Sequence, residues 1–269
     1  MLRPTYLNQA HTSSRRATAS ILSAVAAVLC VAIFDAHAAI TVPAAVTAAV
    51  ADPARPDADK QRDANRKPAE VVAFAGIKSG DKVADLLPGG GYFTRIFSKV
   101  VGPSGAVYAV PPPPRPDAPA GAPVPSAAVD AIAADASFAN VKVVSAPLVQ
   151  LTTPEPVDVV WTSLNYHDVH RTSDIAAFNK SVFSVLKPGG TYIVIDHAAA
   201  AGTAAKDSAS LHRIDPAVVK QEVTAAGFVL DSESDALRNP EDSHSAGVRD
   251  SSVQGRTDQF VLKFKKPAT

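Results

Sequence analysis

The chain of 269 residues has little sulfur and few aromatic rings: one cysteine, one methionine, one tryptophan and 6% aromatics in all. Cys30, the single cysteine, lies in the apolar run 21–34 near the amino terminus. Once that segment is removed, no disulfide, thiol nucleophile or thiolate metal site is available. Net charge is also missing, because 26 basic and 26 acidic side chains cancel. With no basic stripe and no aromatic platform, a nucleic-acid partner is not expected. A long hydrophobic run is absent too. The stretch "ILSAVAAVLCVAIF" has fourteen residues, short of the roughly twenty that span a bilayer.

What that stretch does have is the layout of a secretory signal. Arg3, Arg15 and Arg16 precede it, and Ala36-His37-Ala38 follows with the small-x-small form read by signal peptidase. Residues 1–38 are therefore read as a signal peptide. The expected product is periplasmic or secreted, with no stable membrane insertion after cleavage. The paired arginines in "SSRRATAS" make twin-arginine export one possible route.

Residues 39–65 are rich in alanine, proline and aspartate and read as a loose lead-in ending in a short helix. From residue 66 to 269 the pattern is regular. "AEVVAFAGI" forms a helix, "GDKVADLL" a buried strand, and "YFTRIFSKVV" places apolar residues at helical spacing. "GAVYAV" is the next strand, and the proline run that follows is a loop. A helix near 126–136 leads to the strand "VKVVSA". "VDVVWTSL" is another buried strand, and Ile175, Phe178, Val182 and Leu186 mark a helix. "TYIVIDHA" and "DQFVLKF" are the last two clear strands, with a helix ended by Gly227 between them. Strands alternating with helices give a doubly wound, mostly parallel α/β sheet covered on both faces. Ligands in such sheets sit outside the carboxyl ends of the strands.

The first of those ends is "VADLLPGGGYFTR". Together with "VDVVWTSLNYHD", "VFSVLKPGGTYIVIDH" and "EVTAAGFVL", in that order, it resembles the class I S-adenosylmethionine-dependent methyltransferases. The resemblance runs from about residue 68 to 267. It implies a Rossmann-like fold, S-adenosyl-L-methionine as cofactor and methyl transfer as the activity. Asp85 matches the family's acidic residue at the end of the first strand, and Gly89 and Gly91 match its later glycines, where the ligand approaches the backbone. Leu87 occupies the place of the first glycine. Pro111 stands where a ribose-binding carboxylate is usual, and Asp117 in the following loop is a candidate substitute. The resemblance assigns cofactor contacts to Asp85, Pro88, Gly89, Gly90, Gly91, Tyr92, Asn165, Tyr166 and Asp168.

Four of the five histidines beyond residue 38, at 167, 170, 197 and 212, fall after the fourth and fifth strands, with Asp168, Asp196 and Asp215 nearby. Methyl transfer needs alignment, and a base where the acceptor must lose a proton. His167 and His197 are the candidate bases. The pattern His-Asp-x-x-His plus Asp-His also offers donors for a divalent ion, although spacing on a loop does not establish convergence, and no metal is assigned. Arg62, Arg66 and Lys67 are read as a solvated face, with an acidic group of the ligand as the other reading. The expected acceptor is a small molecule. The alternative is an exported ligand-binding or metal-binding protein without catalysis on the same fold.

Overall fold

The computed structural model describes residues 41–114, 117–119 and 121–268; the signal-peptide reading of 1–38 lies outside them. Four short helices come first: α1 (Ala44–Val50), α2 (Asp57–Lys60), α3 (Asp63–Arg66) and α4 (Pro68–Ala75). The alternation then runs β1 (Lys82–Leu86), α5 (Tyr92–Val101), β2 (Ala106–Val110), α6 (Ala127–Ala134) and β3 (Val141–Val143). It continues with β4 (Val157–Ser163), α7 (Tyr166–Thr172), α8 (Ile175–Val185), β5 (Leu186–His197), α9 (Pro216–Ala225), β6 (Val229–Ser234) and β7 (Gln259–Lys265).

The seven strands form one sheet in the order β3-β2-β1-β4-β5-β7-β6. β1 to β5 are parallel, and β7 runs antiparallel between β5 and β6. This is the doubly wound α/β sheet the alternation predicts. β1 has β2 on one side and β4 on the other, so the chain changes direction across the sheet there, and a crevice opens between the two strand ends.

Each face of the sheet carries its own core. Phe93 and Phe97 of α5 pack on Trp161 of β4, with ring centroids 4.7 and 5.0 Å apart. On the other face Phe178 and Val182 of α8 lie among Tyr192, Leu262 and Phe264. β2 is buried along its whole length, as its uninterrupted apolar run requires.

Three expectations need correction. The segment 39–65 is not a loose lead-in: α1 buries Val46 and Ala49 against α4 and α5, and Arg55 is buried with its guanidinium on Asp63 at 2.6 and 2.8 Å. An alanine-rich helix too short to show a period still has an apolar side, and α5 covers it. The segment after β4, expected as a loop, is α7. The helix expected to run through Leu186 stops at Val185, and Leu186 opens β5. β6 went unnoticed because it is an edge strand with a polar, half-exposed sequence. No described helix is long and apolar enough to cross a membrane.

Candidate active site

The carboxyl ends of β1 and β4 are fastened to their neighbours just past the last strand residue. The amide of Leu87 donates to the carbonyl of Val110 at 2.8 Å, and that of Leu164 to the carbonyl of Ile195 at 2.8 Å. Both leucines have left-handed backbone, with φ of 53° and 62°. That conformation costs a non-glycine residue roughly 1–2 kcal/mol. Asn165 ties the two ends together, its Nδ2 donating to the carbonyls of Ser163 at 2.7 Å and Leu87 at 3.2 Å. Gly89 and Gly91 also have positive φ, 54° and 76°. The space where a Cβ would stand is open at Gly89 and Gly90, whereas at Gly91 it would collide with Ile132. Gly91 thus serves packing between α5 and α6, and Gly89 presents bare backbone to solvent.

That solvent space is a cleft of about 680 Å³, lined by the segments after β1 (Leu87, Gly89), β2 (Pro112, Pro113) and β4 (Asn165, Asp168), with Leu148 beyond β3. Its volume lies in the usual range for small-molecule sites. The ends of β1, β2 and β4 thus converge there as the doubly wound sheet requires. Pro111 is buried and Asp117 exposed; neither lines the cleft.

Leu87 also lines a small inner recess of about 30 Å³, with Arg66, Asp85, Pro88, Tyr92 and Ser163. Such a space admits a water or one polar end group. Asp85 is buried and accepts a hydrogen bond from Thr94 Oγ1 at 2.6 Å. Burial pushes its carboxyl up to about 7, against the pull of Thr94 and the charge of Arg66. Arg66 lies over the rings of Tyr92 and Phe93, 4.3 and 4.8 Å from their centroids, and donates to Ser163 Oγ at 3.2 Å. Burial lowers its pKa to about 10, so it stays charged at neutral pH. The solvated-face reading therefore fails for Arg66. It holds for Arg62, which is exposed and paired with Asp59, and for exposed Lys67. Tyr92 brings its ring to the recess, but its hydroxyl is committed to Asp63 at 2.5 Å.

The histidine edge lies on the far side of Asp168. His167, nearly fully buried, has its Nδ1 on Asp196 Oδ1 at 2.8 Å. Asp196, wholly buried, also accepts from the amides of His167 and His197. Burial favours the neutral form of His167, but the hydrogen bond and charge of Asp196, with Asp168, outweigh it and raise its pKa. His197 sits beside it, ring centroids 6.0 Å apart, with Nδ1 on Thr257 Oγ1 at 2.7 Å. Burial lowers its pKa to about 4, so the ring is neutral. His212 stacks edge-on against His167 at 5.4 Å.

One residue assigned to the cofactor from sequence lies away from the cleft. Tyr166 does not face the cleft: as the first residue of α7 it points into the helical layer, fully buried, with its hydroxyl between Glu222 and Asn179. His170 pairs with Glu222 at 2.8 Å, so His-Asp-x-x-His does not converge. Asp215 caps α9 and holds the amide of Gly202. Arg66 is the site residue that the sequence pattern alone does not single out. It precedes the glycine turn by a helix and a strand, and only the fold carries it there.

No family model matches the chain. A curated relative, the ubiquinone/menaquinone biosynthesis C-methyltransferase UbiE of Stutzerimonas stutzeri (strain A1501), is 29% identical over 127 residues. That match covers 47% of this chain and 45% of the relative, less than half its length. A S-adenosylmethionine-dependent methyltransferase from Aquifex aeolicus superposes with a TM-score of 0.53 at 19% identity, covering 79% of this chain and 98% of the other. The arsenic(III) S-adenosylmethionine methyltransferase of Chlamydomonas reinhardtii gives 0.52 at 20% identity, covering 84% and 74%. The chain has the fold of these S-adenosylmethionine-dependent methyltransferases.

Proposed function

We propose that this protein is an S-adenosylmethionine-dependent methyltransferase with a small-molecule acceptor. The observation that carries the reading is the convergence of Gly89, Asn165 and Asp168 on one cleft, with Arg66 and Asp85 in the recess behind it. The cofactor's amino-acid end bears a carboxylate and an ammonium. An arginine and an aspartate at one recess supply the opposite charge to each. The bare backbone at Gly89 admits the adenosyl part closely, and the proline-lined wall offers it apolar contact without a ribose-binding carboxylate.

In methyl transfer the acceptor's lone pair attacks the sulfonium methyl, and the sulfur leaves with the electron pair of the broken bond. Alignment by the cleft carries most of that work. Where the acceptor must lose a proton, we assign that role to His167 and His197, which do not line the cleft themselves but lie beyond Asp168, which does. We place the mature protein outside the cytoplasm on the strength of residues 1–38. A reporter fused to those residues that stays in the cytoplasm would remove that placement.

The test is calorimetric titration of the purified protein with S-adenosylmethionine, alongside Arg66→Met and Asp85→Asn. Saturable one-to-one binding, weakened about tenfold or more in each variant, supports the reading, since a charge-assisted hydrogen bond contributes about 1.5–3 kcal/mol. Binding that is absent, or indifferent to both substitutions, overturns it.

A further inference from the structure

The structure assembles a donor set that the sequence pattern does not: two histidines from different segments and the carboxylate between them. His167 and Asp168 lie in the first turn of α7, and His212 comes from the connection between β5 and α9. One ligand atom from each lies within 4.8 Å of the others. His167 Nε2 is 3.5 Å from Asp168 Oδ2, and His212 Nδ1 is 3.6 Å from Asp168 Oδ1. Donors about 2.0–2.1 Å from a tetrahedral cation stand about 3.4 Å apart, close to both spacings.

Three further observations single these atoms out. His167 is nearly fully buried with Nδ1 engaged by Asp196, yet among the described residues its Nε2 has no hydrogen-bond partner and lies 3.5 Å from Asp168 Oδ2. A buried carboxylate on the rear nitrogen of a histidine is the arrangement that fixes the ring and sharpens the front nitrogen as a ligand. Among the described residues the ring of His212 likewise has no hydrogen-bond partner. Asp168, finally, lines the cleft, which leaves the cluster open on the side where an acceptor would approach. One contact competes: Arg171 donates at 2.9 Å to Asp168 Oδ1, the oxygen 3.6 Å from His212 Nδ1, and must share or release it when a cation binds.

We propose that His167 Nε2, His212 Nδ1 and the Asp168 carboxylate bind a divalent transition-metal cation, with zinc the best match to two imidazoles and a carboxylate, and that Asp196 orients His167 for it. Three protein donors leave one position for a water or a heteroatom of a bound molecule. The cation site stands independently of the methyltransferase reading. If both hold, His167 is a ligand and His197 the remaining proton acceptor.

The experiment is titration of the purified protein, its affinity tag removed and no S-adenosylmethionine present, with Zn²⁺ and with Co²⁺. The expected result is one cation per chain and the strong visible absorption of four- or five-coordinate Co²⁺. His212→Ala and Asp168→Asn lie on partly exposed side chains, and each is expected to weaken binding at least about a hundredfold. Asp196→Asn is expected to weaken it about 10–100-fold, and His170→Ala to leave it unchanged. Failure of the folded wild-type protein to bind either ion overturns the proposal, as does binding that survives His212→Ala. A chain that binds zinc but not S-adenosylmethionine would keep this site and discard the transferase reading; the opposite pair of results would do the reverse.

Discussion

At the scale of single residues the site depends on one departure from the usual pattern, Leu87, and on one buried carboxyl, Asp85. Leu87 adopts a backbone conformation suited to glycine and lines both the cleft and the inner recess. Leu87→Gly is expected to join the two spaces and tighten S-adenosylmethionine binding severalfold. Stability should change by no more than about 1 kcal/mol, because relief of strain offsets the added freedom of glycine in the unfolded chain. Calorimetry and a thermal melt check the two halves separately.

Asp85 makes the second residue-scale prediction. Its folded pKa of about 7 stands above the ordinary 3.8, so the native state holds a proton that the unfolded chain releases. Its contribution to stability is full below about 3.8 and is lost as pH rises through about 7. Asp85→Asn should remove that decline, which a melting series from about pH 5 to about pH 8 would detect as a flatter Tm profile. A cationic ligand prefers the ionised form. S-adenosylmethionine affinity is therefore expected to rise severalfold across the same interval in the wild-type protein and to stay level in Asp85→Asn.

At the scale of elements, strands and helices buried on a continuous face were legible. β1, β4 and β5 read as apolar runs, and α5 shows its face through residues 92, 93, 96, 97, 100 and 101, all buried. α1 was illegible because seven residues, mostly alanine, carry no period, and β6 because its exposed edge asks for polar side chains. α7 was hidden by its polar composition; Tyr166, His167 and Val169 anchor it through tertiary contacts. The glycine turn was legible as a motif, but the division of labour within it was not. Gly91→Ala, which must displace Ile132, is expected to cost about 2–4 kcal/mol of stability in denaturant titration, from strain plus overpacking. Gly89→Ala, facing open space, should cost only the strain and act mainly on cofactor affinity.

The connection between β6 and β7 has no regular element, yet it delivers Thr257 to His197. It is held by Arg213, buried in a two-pronged pair with Asp242 at 2.8 and 3.1 Å. Asp242 also accepts from the amides of Asp258 and His244. Asp242→Ala strands the guanidinium and should destabilise the protein by about 3–5 kcal/mol. Hydrogen exchange should locate the loosening in residues 235–258.

For the whole molecule, the sheet order places β1 against β4 and so creates the crevice on which every functional argument depends. The fold and its ligand edge followed from the alternation of elements. The recess did not, because Arg66, Asp85 and Ser163 meet only once the sheet has formed. The most direct measurement is a crystal structure of the protein with S-adenosylhomocysteine. The account predicts the amino-acid end of the ligand at Arg66 and Asp85, and its adenosyl part along Gly89 towards Pro112 and Leu148. Density for the ligand elsewhere, or an empty cleft at saturating ligand, would contradict it.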